Sequence, residues 1–214
     1  MRELGRRGVK GGRRVTTTRR DDTAPQSPDL VKRDFTAASP NQLWVGDLTD
    51  VPTWSGVAYA CFIVDAFSSM IVGWRVASTM RTEMVLDALE MARWSRGTRL
   101  KGLVAHLDAG SQLTSIRFGE RLAEIGAVPS IGTVGDSYDN ALAQAVNALY
   151  ETELIRGPGQ GPWRTVEEVE LATLSWVHWH NHERLHGYLN DVPPAEFEAA
   201  YAAKQTDQLL VGIQ

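Results

Sequence analysis

From residue 41 onward the apolar and polar positions fall into two successive patterns. Three short runs rich in apolar, β-branched or aromatic residues come first, at 43–48, 57–64 and 70–76. The stretches between them, Pro52-Thr53-Trp54-Ser55-Gly56 and Asp65-Ala66-Phe67-Ser68-Ser69, are turn-like, so the pattern predicts three consecutive antiparallel strands. A helix is predicted over 82–96, where Val85, Ala88, Leu89 and Ala92 recur at i, i+3, i+4 and i+7. The chain then changes to a strand at 102–107, a helix at 115–125 and a short strand at 127–131. Hairpin strands followed by strand-helix units predict an α/β fold, a mixed five-stranded sheet flanked by helices.

The C-terminal third reads as helical. A long helix is predicted over 138–155, introduced by Asp136-Ser137, and a second over 165–181 after a Gly- and Pro-rich loop. A short helix follows Pro193-Pro194, and 201–214 reads as a tail. On the first long helix Leu142, Ala145, Val146 and Leu149 form the expected apolar stripe, while Asn140, Gln144, Asn147 and Glu151 form a polar one facing water or a cleft.

Residues 1–40 lack any sustained apolar period and read as a basic arm and linker ahead of a core over 41–200. Charge makes that division sharper. The first 20 residues sum to +7, with Arg13, Arg14, Arg19 and Arg20 among eight basic side chains, so a chain of formal net charge −4 carries −11 on the rest. A basic arm on an acidic body points to a polyanionic partner touched by the arm, with a solvated, disordered tail as the plainer alternative. The single cysteine, Cys61, lies in an apolar run and is expected as a core residue in a reducing, cytoplasmic setting. No segment approaches the roughly 18 apolar residues of a membrane span.

Two carboxylates interrupt or end predicted strands. Asp47 lies inside the first, and Asp108 directly follows the fourth. Carboxylates on neighbouring strands suit magnesium or manganese, hard ions that take oxygen ligands; the plainer alternative is a turn residue and a solvent-facing edge residue. Of seven tryptophans, Trp44, Trp74, Trp94, Trp176 and Trp179 are expected in the core, leaving Trp54 and Trp163 in loops free to stack on bases. His106, beside Asp108, is expected as a packed strand-end residue.

Asp47-Leu48-Thr49, His106-Leu107-Asp108-Ala109-Gly110-Ser111-Gln112 and Gly135-Asp136-Ser137-Tyr138-Asp139-Asn140-Ala141-Leu142-Ala143-Gln144 together resemble the integrase core of bacterial insertion-sequence transposases. This is the DDE group, related to retroviral integrases. Sixty residues separate Asp47 from Asp108 and 35 separate Asp108 from Gln144, the latter being the family's interval between its second Asp and its Glu. Asn181-His182-Glu183-Arg184-Leu185-His186 and Asp191-Val192-Pro193-Pro194-Ala195-Glu196-Phe197 resemble the family's C-terminal signature.

The resemblance implies an RNase H-like fold and DNA cleavage and strand transfer by two-metal phosphoryl transfer, with Asp47 and Asp108 as metal ligands and Mg2+ or Mn2+ as cofactor. It also implies DNA, further copies or a full-length transposase as partners. Three departures stand out. Gln144 occupies the position of the catalytic Glu; Glu151 occupies that of a DNA-contacting Lys or Arg; and Leu107, Ala109 and Leu113 replace a small polar, a basic and an aromatic residue. The arm matches only the tail end of the family's helix-turn-helix region. These departures predict an impaired copy, with Asn140, Asn147, the Glu151 position and the arm arginines as its DNA-facing residues.

Two other readings stand beside it. One is a non-catalytic RNase H-like module that binds DNA or transposase. The other is a zinc protease through His182-Glu183-Arg184-Leu185-His186, which requires both histidines on one helical face.

Overall fold

The computed structural model describes residues 27–97, 100–107, 116–132, 140–157 and 161–211. Its centre is a five-stranded sheet built from β1 (Leu43–Thr53), β2 (Gly56–Asp65), β3 (Met70–Ala77), β4 (Val104–Leu107) and β5 (Val128–Ile131), in the order β3-β2-β1-β4-β5. The first three are antiparallel, and β4 and β5 run parallel to β1 and to each other. The mixed sheet expected from the pattern is therefore present, strand for strand.

Strand alternation divides the apolar residues between two faces. Leu43, Val45, Val51, Phe62 and Val64 pack with α3 (Ala141–Tyr150) and α4 (Val166–His182). Trp44, Cys61, Ile63 and Val72 pack with α1 (Thr82–Arg96) and α2 (Ile116–Ile125). Burying both faces explains why β1 and β2 read as apolar runs. Gly73 permits the closest contact, because a Cβ there would stand 2.1 Å from the Ala88 carbonyl oxygen of α1.

β1 runs five residues beyond the expected end and pairs with β2 through to Thr53↔Gly56. β4 accompanies it over Leu43 to Gly46 among the described residues, and Asp47 directly follows the last of these pairs. The carboxyl ends of neighbouring parallel strands, here the fork of β1 and β4, are where α/β sheets form ligand crevices.

The expected 138–155 helix is two pieces. α3 gives way to a π-helical turn at Glu151–Ile155, in which the Arg156 amide donates to the Glu151 carbonyl at 2.8 Å. Its core-facing residues are Ala143, Val146, Asn147 and Tyr150, so the expected apolar stripe is corrected: Ala145 is exposed, and Leu142 and Leu149 are only half-buried. The last helix, α5 (Pro194–Val211), has 18 residues and occupies most of the stretch read as a tail. The end of the linker also belongs to the packed structure, with Val31 buried and the Leu30 amide donating to Ser130 Oγ at 2.9 Å.

Candidate functional site

Asp47 sits at the fork on the face covered by α3, because it shares strand parity with Val45 and Val51. Its carboxylate is fixed from two directions: Oδ2 accepts from Asn147 Nδ2 at 3.0 Å, and Oδ1 accepts from the Leu48 amide at 2.8 Å. Hydrogen bonds from neutral donors favour the ionised carboxylate without consuming its charge. That charge also reaches Cys61, whose thiol is pushed up to about 12, first by burial and second by Asp47.

The α3 stripe runs along β1. Asn140 Nδ2 donates to the Gly46 carbonyl at 3.1 Å, Asn147 bonds Asp47, and Glu151 Oε1 accepts from Thr49 Oγ1 at 3.1 Å. Positions 140, 147 and 151 share one helical face, and Gln144 belongs to the same i, i+4, i+7, i+11 series. The polar stripe is thus the seam between helix and strand. Asn140 is 2% exposed and Asn147 7%, and their amides hold β1.

Glu151 is also tied down. Besides Thr49, its carboxylate meets Arg156 Nη2 at 3.2 Å. A spacing of five residues is too long for a side-chain pair on an ordinary helix, and the wider π turn between them closes it. The pairing with Arg156 was not legible for that reason. Arg156 is largely exposed, so the pair contributes at most about 1 kcal/mol. Its relevance is electrostatic: the expected repulsion of phosphate is opposed by an adjacent cation.

Asp108 and the arm residues Arg13, Arg14, Arg19 and Arg20 lie outside the described residues. Leu107, the residue before Asp108, pairs with Gly46, the residue before Asp47. Among the described residues no group of three or more His, Cys, Asp or Glu side chains could hold a metal. What the fork does contain is oxygen: the Asp47 carboxylate and two buried amide oxygens, Asn140 Oδ1 and Asn147 Oδ1, that have no hydrogen-bond partner among the described residues. That donor chemistry fits a hard divalent cation, while its charge is low for two.

Several expectations outside the fork are settled by burial. His106 is fully buried, with Nδ1 2.9 Å from Ser130 Oγ and its ring against Phe35, as expected for a packed histidine. Trp44 and Trp176 are in the core, whereas Trp94 is 71% exposed, and Trp179 lies at the surface. Trp54 is 73% exposed on the β1–β2 turn, but Trp163 packs against the core and donates to the Ile155 carbonyl, so only Trp54 of the loop pair is free.

The zinc-protease reading is corrected. α4 ends at His182, which is exposed, and His186 lies beyond the helix in a bridge to Val192, with Nε2 3.3 Å from the His180 carbonyl. The two histidines of the motif do not share a helical face. The segment instead anchors the edge of the sheet: Asn181 accepts from the Ile71 amide and donates to the Ile71 carbonyl, both at 2.9 Å, and Arg184 pairs with Glu153 at 2.8 Å.

Comparison with known proteins agrees with this architecture. Two family models described as integrase core domain match residues 37–137 and 126–194. The transposase for insertion sequence element IS986/IS6110 of Mycobacterium tuberculosis is 55% identical over 209 residues, covering 96% of this chain and 74% of the relative. The transposase for IS629 of Shigella sonnei is 48% identical over 203 residues, covering 95% and 67%. The catalytic core domain of BIV integrase superposes with a TM-score of 0.56 at 17% identity, covering 78% of this chain and 99% of that one. The HTLV-2 integrase catalytic core domain, solved in complex with magnesium, gives 0.51 at 17% identity, covering 70% and 92%. At such identities the structural likeness establishes the RNase H-like fold, and the sequence relatives establish the lineage: this chain belongs to the insertion-sequence transposases with an integrase core domain.

Proposed function

We propose that this chain is the integrase core of an insertion-sequence transposase whose DNA cleavage and strand transfer are impaired by the loss of one catalytic carboxylate. The observation that carries the reading is the Asn147–Asp47 hydrogen bond, which sets the stripe containing Gln144 against the strand containing Asp47. Asp47, Asp108 and Gln144 are the three positions of the site in this reading. Asp47 and Asp108 would hold Mg2+ or Mn2+. Such ions, when bound, activate a water or 3′-hydroxyl and stabilise the leaving oxygen.

The chain's own contribution is to orient. Asn147 and the Leu48 amide aim the Asp47 carboxylate, and Asn140 keeps α3 registered on β1. Gln144 offers an amide oxygen in place of a charge. Two unit charges 4 Å apart interact by roughly 4 kcal/mol at an effective dielectric of 20, so losing one weakens the second cation most. Glu151 adds a negative charge at a position where the resemblance implies a cation, offset locally by Arg156. In this reading DNA is the partner, together with further copies or a full-length transposase.

The test is cleavage and strand transfer on a short duplex end with Mn2+. Gln144→Glu is expected to exceed the natural chain by two to three orders of magnitude, by about the free energy of the missing charge. Adding Glu151→Lys should raise it further, and Asp47→Asn should abolish it. A natural chain as active as Gln144→Glu would overturn the impairment. If Gln144→Glu stays inactive yet the protein binds the duplex, the non-catalytic reading favoured by Gln144 and Glu151 replaces it.

A further inference from the structure

Five histidines are present, and the site above uses none of them. Two, His178 and His182, occupy successive turns at the C-terminal end of α4 on its solvent face. Their rings stack with centroids 4.5 Å apart and planes 21° apart. We propose that this pair is a surface site for one divalent cation of the zinc, nickel or copper class.

The tautomer supports chelation. His182 Nδ1 lies 3.0 Å from the His178 carbonyl oxygen, an atom that only accepts, so Nδ1 carries the proton in the neutral ring. The lone pair is then left on Nε2, and a ring N–H held by a backbone carbonyl is the usual support of a ligating histidine. Residues four apart on a helix present their side chains as neighbours. Imidazole nitrogens select borderline transition metals over Mg2+, which prefers oxygen. The final turn of a helix favours a cation, because its unpaired carbonyls carry partial negative charge. Both rings are exposed, so small rotations bring the two Nε2 atoms onto one ion without disturbing the core.

The remaining nearby histidines have other employment. His180 is fully buried, with Nε2 3.1 Å from the Ser69 carbonyl, and His186 is buried against the His180 carbonyl. The chelating pair is therefore not the pair of the His182-to-His186 motif. With two protein ligands the ion keeps water in its other positions. This site is independent of the fork at Asp47 and of the transposase reading.

Titration of the full chain with Ni2+ by calorimetry tests it. One equivalent is expected, with affinity reduced at least about tenfold in His178→Gln and in His182→Gln. The double variant should lose less than the two single changes summed as free energies, because both act on the same site. Asp47→Asn should bind Ni2+ as the natural chain does, and millimolar Mg2+ should not displace it. In the unmodified protein, the imidazole carbon-bound protons of His178 and His182 should be the ones that broaden during the titration. Absence of a bound equivalent, undiminished binding in either glutamine variant, or broadening confined to other histidines would overturn the proposal.

Discussion

Asp47 owes part of its orientation to an amide 100 residues away. Removing that donor in Asn147→Ala takes one hydrogen bond from a half-buried carboxylate and is expected to cost about 1–3 kcal/mol of stability. It should also weaken Mn2+ binding about 10–100-fold, the usual penalty for deleting a group that supports a metal ligand. Thermal unfolding and a Mn2+ titration on the same preparation check both. The Asp47 position was legible because a carboxylate inside an apolar run needs a reason to be there. The role of Asn147 was not. Its place in a polar stripe was readable, but whether that stripe meets water or a strand depends on how α3 docks. Helical periodicity fixes relative faces and leaves the docking angle open.

At the scale of elements, the α4 terminus shows what the C-terminal signature does mechanically. β3 is an edge strand, and Asn181 satisfies both polar groups of Ile71 on it. Asn181→Ala should leave a buried amide and carbonyl unpaired and cost about 2–4 kcal/mol. Faster hydrogen exchange at the Ile71 amide would locate the damage. Next to it, His180 is pushed down to about 4, chiefly by burial, with the neighbouring His186 and Arg184 adding to the effect and the Ser69 carbonyl opposing it. Its folded-state value lies below the unfolded value near 6.5, so the unfolded chain binds the proton more readily in between. Stability from this group is complete above about pH 6.5 and is lost as pH falls toward 4, on the order of 3 kcal/mol in all. Asp65, raised by burial, acts oppositely within the acidic range. Urea denaturation at pH 7 and pH 5 should therefore show a smaller loss in His180→Gln than in the natural chain. The motif was readable as a resemblance, yet the anchoring of Ile71 was not, since sequence spacing does not say which strand lies under a helix.

For the molecule as a whole, the five strands and most of the helices around them followed from periodicity because nearly every element buries a face, whereas the strand order did not. Nor did the long-range polar joints. Arg96 at the end of α1 pairs with Glu198 of α5 and lies 3.7 Å from the fully buried Asp65, while Ser68 also donates to Glu198. This knot fastens the last helix to the sheet, and it explains why a stretch that reads as short helix and tail continues as α5. Arg96→Leu should cost about 3–5 kcal/mol by stranding buried charge, measurable as a lower urea midpoint. Isosteric replacement of exposed Lys204 should leave the midpoint within about 0.5 kcal/mol.

The joints between α3 and β1 span 94, 100 and 102 residues of chain. Closing loops of that length carries an entropy that only the packed sheet repays, and contacts so distant in sequence slow folding. The β1–β2–β3 meander can form from local contacts while a chain is still emerging. The environment of Asp47 cannot, because half of it arrives with α3. Chemistry at this fork is thus available only once α3 has been made and packed on β1, which keeps a partly synthesised copy silent whatever residue stands at position 144.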